Sequence, residues 1–207
     1  MESNQQYLFI DFEFTMPEAK MKTEGFYPEI IEVGLISVLN EEIQHTLSAY
    51  VKPQRFPILS ERCKNFLGIS QQKVDEGIAF EELVKQLKDS ELKDKTSHIV
   101  TWGNMDMKVL RQNCQANHIA FPFKGEFIDL SMEYKRFFGD QNQTGLWKAV
   151  KAYGKDGVGS HHRALDDAMT TYNICKLVDN DKKYMNNYEP TTIGDMIDIS
   201  GVWDKFA

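Results

Sequence analysis

Tyr7-Leu8-Phe9-Ile10-Asp11-Phe12-Glu13-Phe14 is the stretch that decides how this chain is read. An apolar run passes into a segment where acids and aromatics alternate. Alternation of period two marks a strand, on which residues i and i+2 share a face. Asp11 and Glu13 therefore point one way, and Ile10 and Phe12 point the other, toward a core. A core on one face and two carboxylates on the other is what a strand-borne pair of metal ligands needs. The competing reading is an edge strand with two solvated acids.

Outward from that strand, Ile30 to Leu39 is mostly apolar and β-branched and predicts a second strand. Ile43 to Val51 predicts a third, ending before Pro53. The link from Thr15 to Pro28 carries Pro17, Lys20, Lys22 and Gly25 and is long for a hairpin; long links often carry function. Ser60 is placed to cap a short helix through Leu67, stopped at Gly68. Phe80, Leu83, Val84 and Leu87 repeat at helical spacing. His98 to Trp102 predicts a short strand leading to Asp106, with a helix over Met105 to Cys114. Phe127 to Leu130 is the fifth predicted strand, followed by a helix through Phe138. Leu146 to Tyr153 is helical, Gly154 to Gly159 is a glycine-rich loop, and a strong helix runs from about Arg163 to Val178. Strands first, then strands alternating with helices, predict an α/β fold with a mixed sheet covered by helices. The tail after Asp179 is polar; Ile193, Met196, Ile197 and Trp203 are expected to dock it on the domain, and it is the expected place for a protein partner.

With 207 residues, 42% of them apolar and 27% charged, the chain has the makeup of one globular domain. No apolar run approaches a membrane span, and the first residues lack the pattern of a secretory signal. Cys63, Cys114 and Cys175 fit neither a metal finger nor a disulfide framework, so they are expected to be reduced, packed thiols of a cytoplasmic protein. A net charge of −7 weighs against broad binding to duplex DNA. It remains compatible with a short contact to a nucleic acid at a site whose negative charge bound cations offset.

Three more groups carry chemistry. Asp106 follows the turn at Gly103, and loops at strand ends often hold catalytic groups. Its bland reading is a helix-start carboxylate favoured by the macrodipole. His162 lies near the start of the last strong helix, with Asp167 in its first turns. His161 and Asp166 have the same separation, so spacing does not choose between the pairs. Asp167 falls at the border of the apolar stripe, while Asp166 turns toward solvent as a surface acid able to pair with Arg163. Gathered carboxylates repel one another and resist desolvation, so a fold that gathers them does so around cations. Hard oxygen ligands point to magnesium or manganese, and an imidazole supplies a base.

Taken together, these motifs resemble the DEDDh 3′–5′ exonucleases, a ribonuclease H-like family. Phe9-Ile10-Asp11-Phe12-Glu13-Phe14-Thr15 is similar to their first motif, and Thr101-Trp102-Gly103-Asn104-Met105-Asp106-Met107-Lys108-Val109-Leu110 to the second. His162-Arg163-Ala164-Leu165-Asp166-Asp167-Ala168, followed by Thr171, is similar to the third, and this likeness selects His162 and Asp167. Glu29-Ile30-Ile31-Glu32-Val33-Gly34 and Phe66-Leu67-Gly68-Ile69 match the branch that includes the histone-mRNA 3′ exonuclease, and within it the bacterial KapD group. The likeness covers roughly residues 7 to 180, which makes 1–180 the expected exonuclease domain and 181–207 a C-terminal tail. Met105 stands where many members have an aromatic or other apolar residue, and every acidic and histidine position is filled.

The resemblance implies a ribonuclease H-like mixed five-stranded sheet flanked by helices. It implies two divalent cations, Mg2+ or Mn2+, about 3.5–4 Å apart. Asp11 would bridge both, Glu13 and Asp167 would complete one site, and Asp106 would hold the other, partly through water. His162 would take a proton from the attacking water, and the product would be a nucleoside 5′-monophosphate. Activity is expected to fall at acid pH as His162 and the ligands protonate. The implied substrate is a single-stranded 3′ end, RNA favoured over DNA. Phe14, Phe66, Leu67 and Trp102 are candidates to touch the last base, and Thr15, Asn104 and His162 to hold the terminal nucleotide. Core packing is the competing role and is expected for at least half of the apolar candidates. Lys20, Lys22, Lys148, Lys151 and Lys155 would steer phosphates or be plain solvated surface. The rival functions are a non-enzymatic regulator that retains the fold and a dinucleotide phosphodiesterase.

Overall fold

The structure, a computed structural model, describes residues 4–18 and 25–187. One five-stranded mixed sheet organises them. Its strands are β1 (Gln6–Phe14), β2 (Ile30–Leu39), β3 (Glu42–Tyr50), β4 (Ser97–Thr101) and β5 (Glu126–Asp129), in the order β3-β2-β1-β4-β5. β1 pairs antiparallel with β2 and parallel with β4; β2 and β3 are antiparallel, and β4 and β5 parallel. β1 is central and buried on both faces, which explains its apolar run. β3, on one edge, is mostly exposed and rich in polar residues, a composition that protects an open edge.

The period-two alternation of β1 sorts its side chains between two cores. Leu8, Ile10 and Phe12 join Val33 and Leu35 of β2 under α3 (Phe80–Asp89) and α4 (Met105–Ala116). Tyr7 and Phe9 join Ile36, Val38 and Val100 on the opposite face, under α5 (Leu130–Phe138), α6 (Leu146–Ala152) and α7 (Ala164–Asn187). Asp11 and Glu13 continue the Tyr7–Phe9 row, so they emerge on the α7 side where that core ends. A third cluster forms around Ile31, Leu59, Cys63, Leu67, Ile69 and Val74 beneath α1 (Glu61–Leu67) and α2 (Gln71–Asp75).

The predicted elements appear with ends moved by a residue or two, and Ser60 and Gly68 cap α1 as expected. Two features depart from the sequence reading. The short α2, capped by Ser70, was not foreseen, because five residues carry no periodicity to detect. α7 runs on to Asn187 rather than ending near Val178. Beyond Val178 its polar side chains are held by tertiary bonds: Tyr153 Oη donates to Asp181 Oδ2 at 2.8 Å, and Lys182 meets Glu133 at 3.3 Å.

A further element escaped sequence reasoning. The Glu29 carboxylate accepts backbone N–H bonds from Gln54, Arg55 and Phe56 and ties that loop to the start of β2. Cys63, Cys114 and Cys175 are free and buried. Among the described residues no helix is long and apolar enough to cross a membrane. Lys20, Lys22 and the tail with Ile193, Met196, Ile197 and Trp203 lie outside the described residues.

Candidate active site

The site forms where β1 outruns its parallel partner. The β1–β4 ladder stops at the Phe9–Val100 pair, so the last residues of β1 have no β4 neighbour. Asp106, in the first turn of α4, fills part of that opening: its Oδ1 accepts the Phe12 N–H at 3.1 Å. On the other side Asp11 stands in register with Gly34 of β2. An ideal Cβ at Gly34 would lie 2.1 Å from the carbonyl carbon of Ala164, so only glycine lets the start of α7 rest on the sheet there. That close approach brings Asp167 over β1.

Ligand oxygens of Asp11, Glu13 and Asp167 lie within 4.8 Å of one another. Asp106 adds a fourth carboxylate beside them and is the strongest charged influence on Asp11. Asp167 accepts Trp147 Nε1–H on Oδ1 at 2.6 Å and the His162 backbone N–H on Oδ2 at 3.1 Å. His162 has a left-handed backbone, with φ of 62°, and its Nδ1 stands 3.9 Å from Glu13 Oε1. Its ring stacks on His161 with centroids 3.8 Å apart and meets Phe66 at 4.4 Å. His161 in turn tilts over Trp147 at 5.0 Å.

The electrostatics of this cluster are those of buried, crowded carboxylates. Burial, followed by the charges of Asp106, Glu13 and Asp167, holds Asp11 well above the ordinary carboxylate range. Burial, then Asp167 and Glu32, raises Glu13 to about 8. Burial raises Asp106 to about 7 against the opposing Phe12 N–H bond. Asp167 is raised by burial and lowered by its bonds from Trp147 and His162. Burial and the neighbouring His161 lower His162. Four carboxylates this close do not share negative charge without compensation, and their all-oxygen donor set fits hard divalent ions. The residues present therefore fit magnesium or manganese.

The nearby Arg163 guanidinium is committed elsewhere. It lies 3.2 Å from Glu32 Oε2 and also bonds the Leu67 carbonyl and, at 3.5 Å, Tyr50 Oη. The sequence reading paired Arg163 with Asp166. Asp166 instead accepts the Ser160 N–H at 2.8 Å, while Arg163, just ahead of α7, is held by Glu32.

The remaining candidates divide by contact. Phe14 packs against the first core, and the Leu67 side chain is buried in the third cluster. Trp102 lies edge-on to Tyr134 at 5.6 Å and donates its Nε1–H to the Thr144 carbonyl. Thr15 is buried, its hydroxyl accepting the Glu29 N–H at 2.9 Å. Asn104 is exposed at the start of α4 and makes no side-chain cap. Phe66 is 54% exposed beside His162, so it combines an open ring with proximity to the acids. Lys148, Lys151 and Lys155 are exposed on and just after α6. Trp147 and Glu32 were missed as site residues: each lies within an ordinary-looking apolar element, and neither has a local motif that points to a distant carboxylate or guanidinium.

A mixed sheet of this order, with four acids and a histidine converging where β1 ends, defines a ribonuclease H-like nuclease site. A family model described as Exonuclease, the RNase T type, matches residues 8–175. The chain belongs to this family of DEDDh 3′–5′ exonucleases. It is 55% identical over 193 residues to "Probable 3'-5' exonuclease KapD" of Bacillus subtilis, covering 93% of this chain and 94% of that one. It is 34% identical to 3'-5' exoribonuclease 1 of Rattus norvegicus over 81% of this chain, which spans 51% of the rat protein. Among solved structures, the nuclease domain of 3'hExo, a DEDDh family member bound to rAMP, superposes with a TM-score of 0.77 at 29% identity. That match covers 86% of this chain and 93% of the other.

Proposed function

We propose that this exonuclease removes nucleotides one at a time from single-stranded 3′ ends, RNA in preference to DNA, and releases nucleoside 5′-monophosphates. Two divalent cations, Mg2+ or Mn2+, would be held by Asp11, Glu13, Asp106 and Asp167. When bound, the cations supply positive charge to the scissile phosphate and acidify the attacking water.

The chain's own residues supply the rest. Asp11, central among the acids, would help to hold the cations. Glu13 and Asp167 flank it on the side of His162, and Asp106 lies on the side of α4. His162 is kept neutral by burial, ready to accept a proton at neutral pH. Its Nδ1 faces Glu13, which leaves Nε2 to take the proton of the attacking water. The exposed face of Phe66 beside it offers a surface on which the terminal base can stack, a contact that tolerates any sequence. Asn104, exposed at the start of α4, and the chain around Thr15, Leu67 and Trp102 are assigned to the sugar and phosphate of that nucleotide.

The convergence of the four acids and His162 carries the proposal. The RNA preference draws support from the exoribonuclease relative and from the rAMP-bound neighbour. Three unpaired, buried thiols support a cytoplasmic setting. A protein partner acting through residues 181–207 is part of the same proposal. The test is digestion of matched 3′-labelled single-stranded RNA and DNA oligonucleotides with manganese. Mononucleotides are expected from both, faster from RNA, and from neither with Asp11→Ala or Asp167→Ala. Intact label on both strands with the wild-type protein would overturn the proposal.

A further inference from the structure

Trp147 does more than pack. An indole N–H is a donor with no acceptor, so a half-buried tryptophan seeks a partner for it. Here the partner is Asp167 Oδ1, 2.6 Å away. The other Asp167 oxygen takes the His162 backbone N–H. One donor on each oxygen fixes the carboxylate plane and leaves further lone pairs on both oxygens for a cation. The face of the same indole also shapes the loop that carries the histidine. An ideal Cβ at Gly157 would lie 2.6 Å from Trp147 Cζ3, so the loop backbone lies flat against the ring. His161 tilts over the indole, His162 stacks on His161, and Phe66 of α1 meets the far side of His162. A column of four rings thus runs from α6 through the histidine loop to α1.

We infer that Trp147 is a positioning residue of this centre, orienting the Asp167 carboxylate through its N–H and steadying the His161–His162 loop through its ring. The inference rests on the assignment of Asp167 as a cation ligand, and it assigns a role to a helix with no acid or base in the site. Partners that orient metal ligands in this way typically change cation affinity or turnover by roughly 10- to 100-fold when lost. Trp147→Phe keeps a ring against Gly157 and His161 but removes the N–H. Gly157→Ala keeps every polar group but pushes the ring away.

The experiment has two arms. The first follows the indole N–H resonance of the metal-free protein by NMR, in wild type and Asp167→Asn. The Trp147 signal is expected to move with the Asp167 substitution, since a short bond to a carboxylate shifts the proton strongly. An unmoved signal overturns the inference whatever reaction the protein performs. The second arm titrates Mn2+ into wild type, Trp147→Phe and Gly157→Ala. It reads the cation midpoint from the melting temperature, and kcat and KM on an oligonucleotide. Both variants are expected to raise the cation midpoint or lower kcat by roughly 10-fold or more, with KM little changed. Wild-type midpoints together with wild-type kcat in Trp147→Phe would overturn the positioning role. Failure of the nuclease assignment has a different signature: no mononucleotide release by the wild type, with the resonance and the cation midpoints still judging Trp147.

Discussion

Replacing Glu13 by glutamine should make the metal-free protein increasingly more stable than the wild type as pH rises, although the same change removes one of the proposed cation ligands. Glu13 is raised from the ordinary 4.5 to about 8, by burial first and then by Asp167 and Glu32. Between those values the folded protein holds a proton that the unfolded chain has lost. The stability linked to Glu13 is therefore complete below about pH 4.5 and falls as pH climbs through about 8. A tenfold change in proton affinity between the folded and unfolded chain is worth about 1.4 kcal/mol. The Glu13 side chain is only 9% exposed, so screening by water removes a small part of the effect. The change in relative stability between about pH 5 and pH 8 is then on the order of 3 kcal/mol. For a chain of this size that is roughly 6–12 °C in melting temperature. Thermal unfolding in a chelator, at both pH values, for wild type and Glu13→Gln, measures it. The variant should gain on the wild type as pH rises, while added Mn2+ should stabilise the wild type more at pH 8 than at pH 5 and the variant less at either. Parallel pH dependences for the two proteins in chelator would refute the reasoning, because Glu13 would then bear no electrostatic penalty.

Three further outcomes follow from named contacts. His162→Ala should lower kcat by about 10²- to 10⁴-fold with little change in KM for the oligonucleotide, as expected for a lost general base; steady-state kinetics check it. Gly34→Ala forces a methyl group against the Ala164 backbone and should cost about 1–3 kcal/mol in denaturant unfolding, with weaker cation stabilisation because α7 carries Asp167. Arg163→Met leaves Glu32 buried without its partner and should cost about 3–5 kcal/mol, a loss that Glu32→Gln in the same chain should partly relieve; paired unfolding curves measure both.

Local pattern made much of the molecule legible before the fold was seen. The alternation in β1 places Asp11 and Glu13 on one face because side-chain direction in a strand repeats every two residues. The Ser60 and Gly68 caps delimit α1 through bonds that reach no further than one turn. The acidic motifs pointed to a nuclease through their likeness to the DEDDh exonucleases, and that likeness, not spacing, selected His162 and Asp167.

Tertiary structure alone decided the rest. Asp106 reaches the Phe12 N–H across 94 residues of chain, and Arg163 reaches Leu67 across 96. Trp147 finds Asp167 only because Gly34 lets α7 settle on the sheet beside α6. Phe14 and Trp102 turn into cores while Phe66 stays open beside the histidine, though all three read alike as aromatics near motifs. Backbone periodicity is written in neighbouring residues. Which distant side chain fills a given hydrogen bond or covers a given ring depends on how whole elements pack, and that is settled only when the sheet closes and the helices take their places on it.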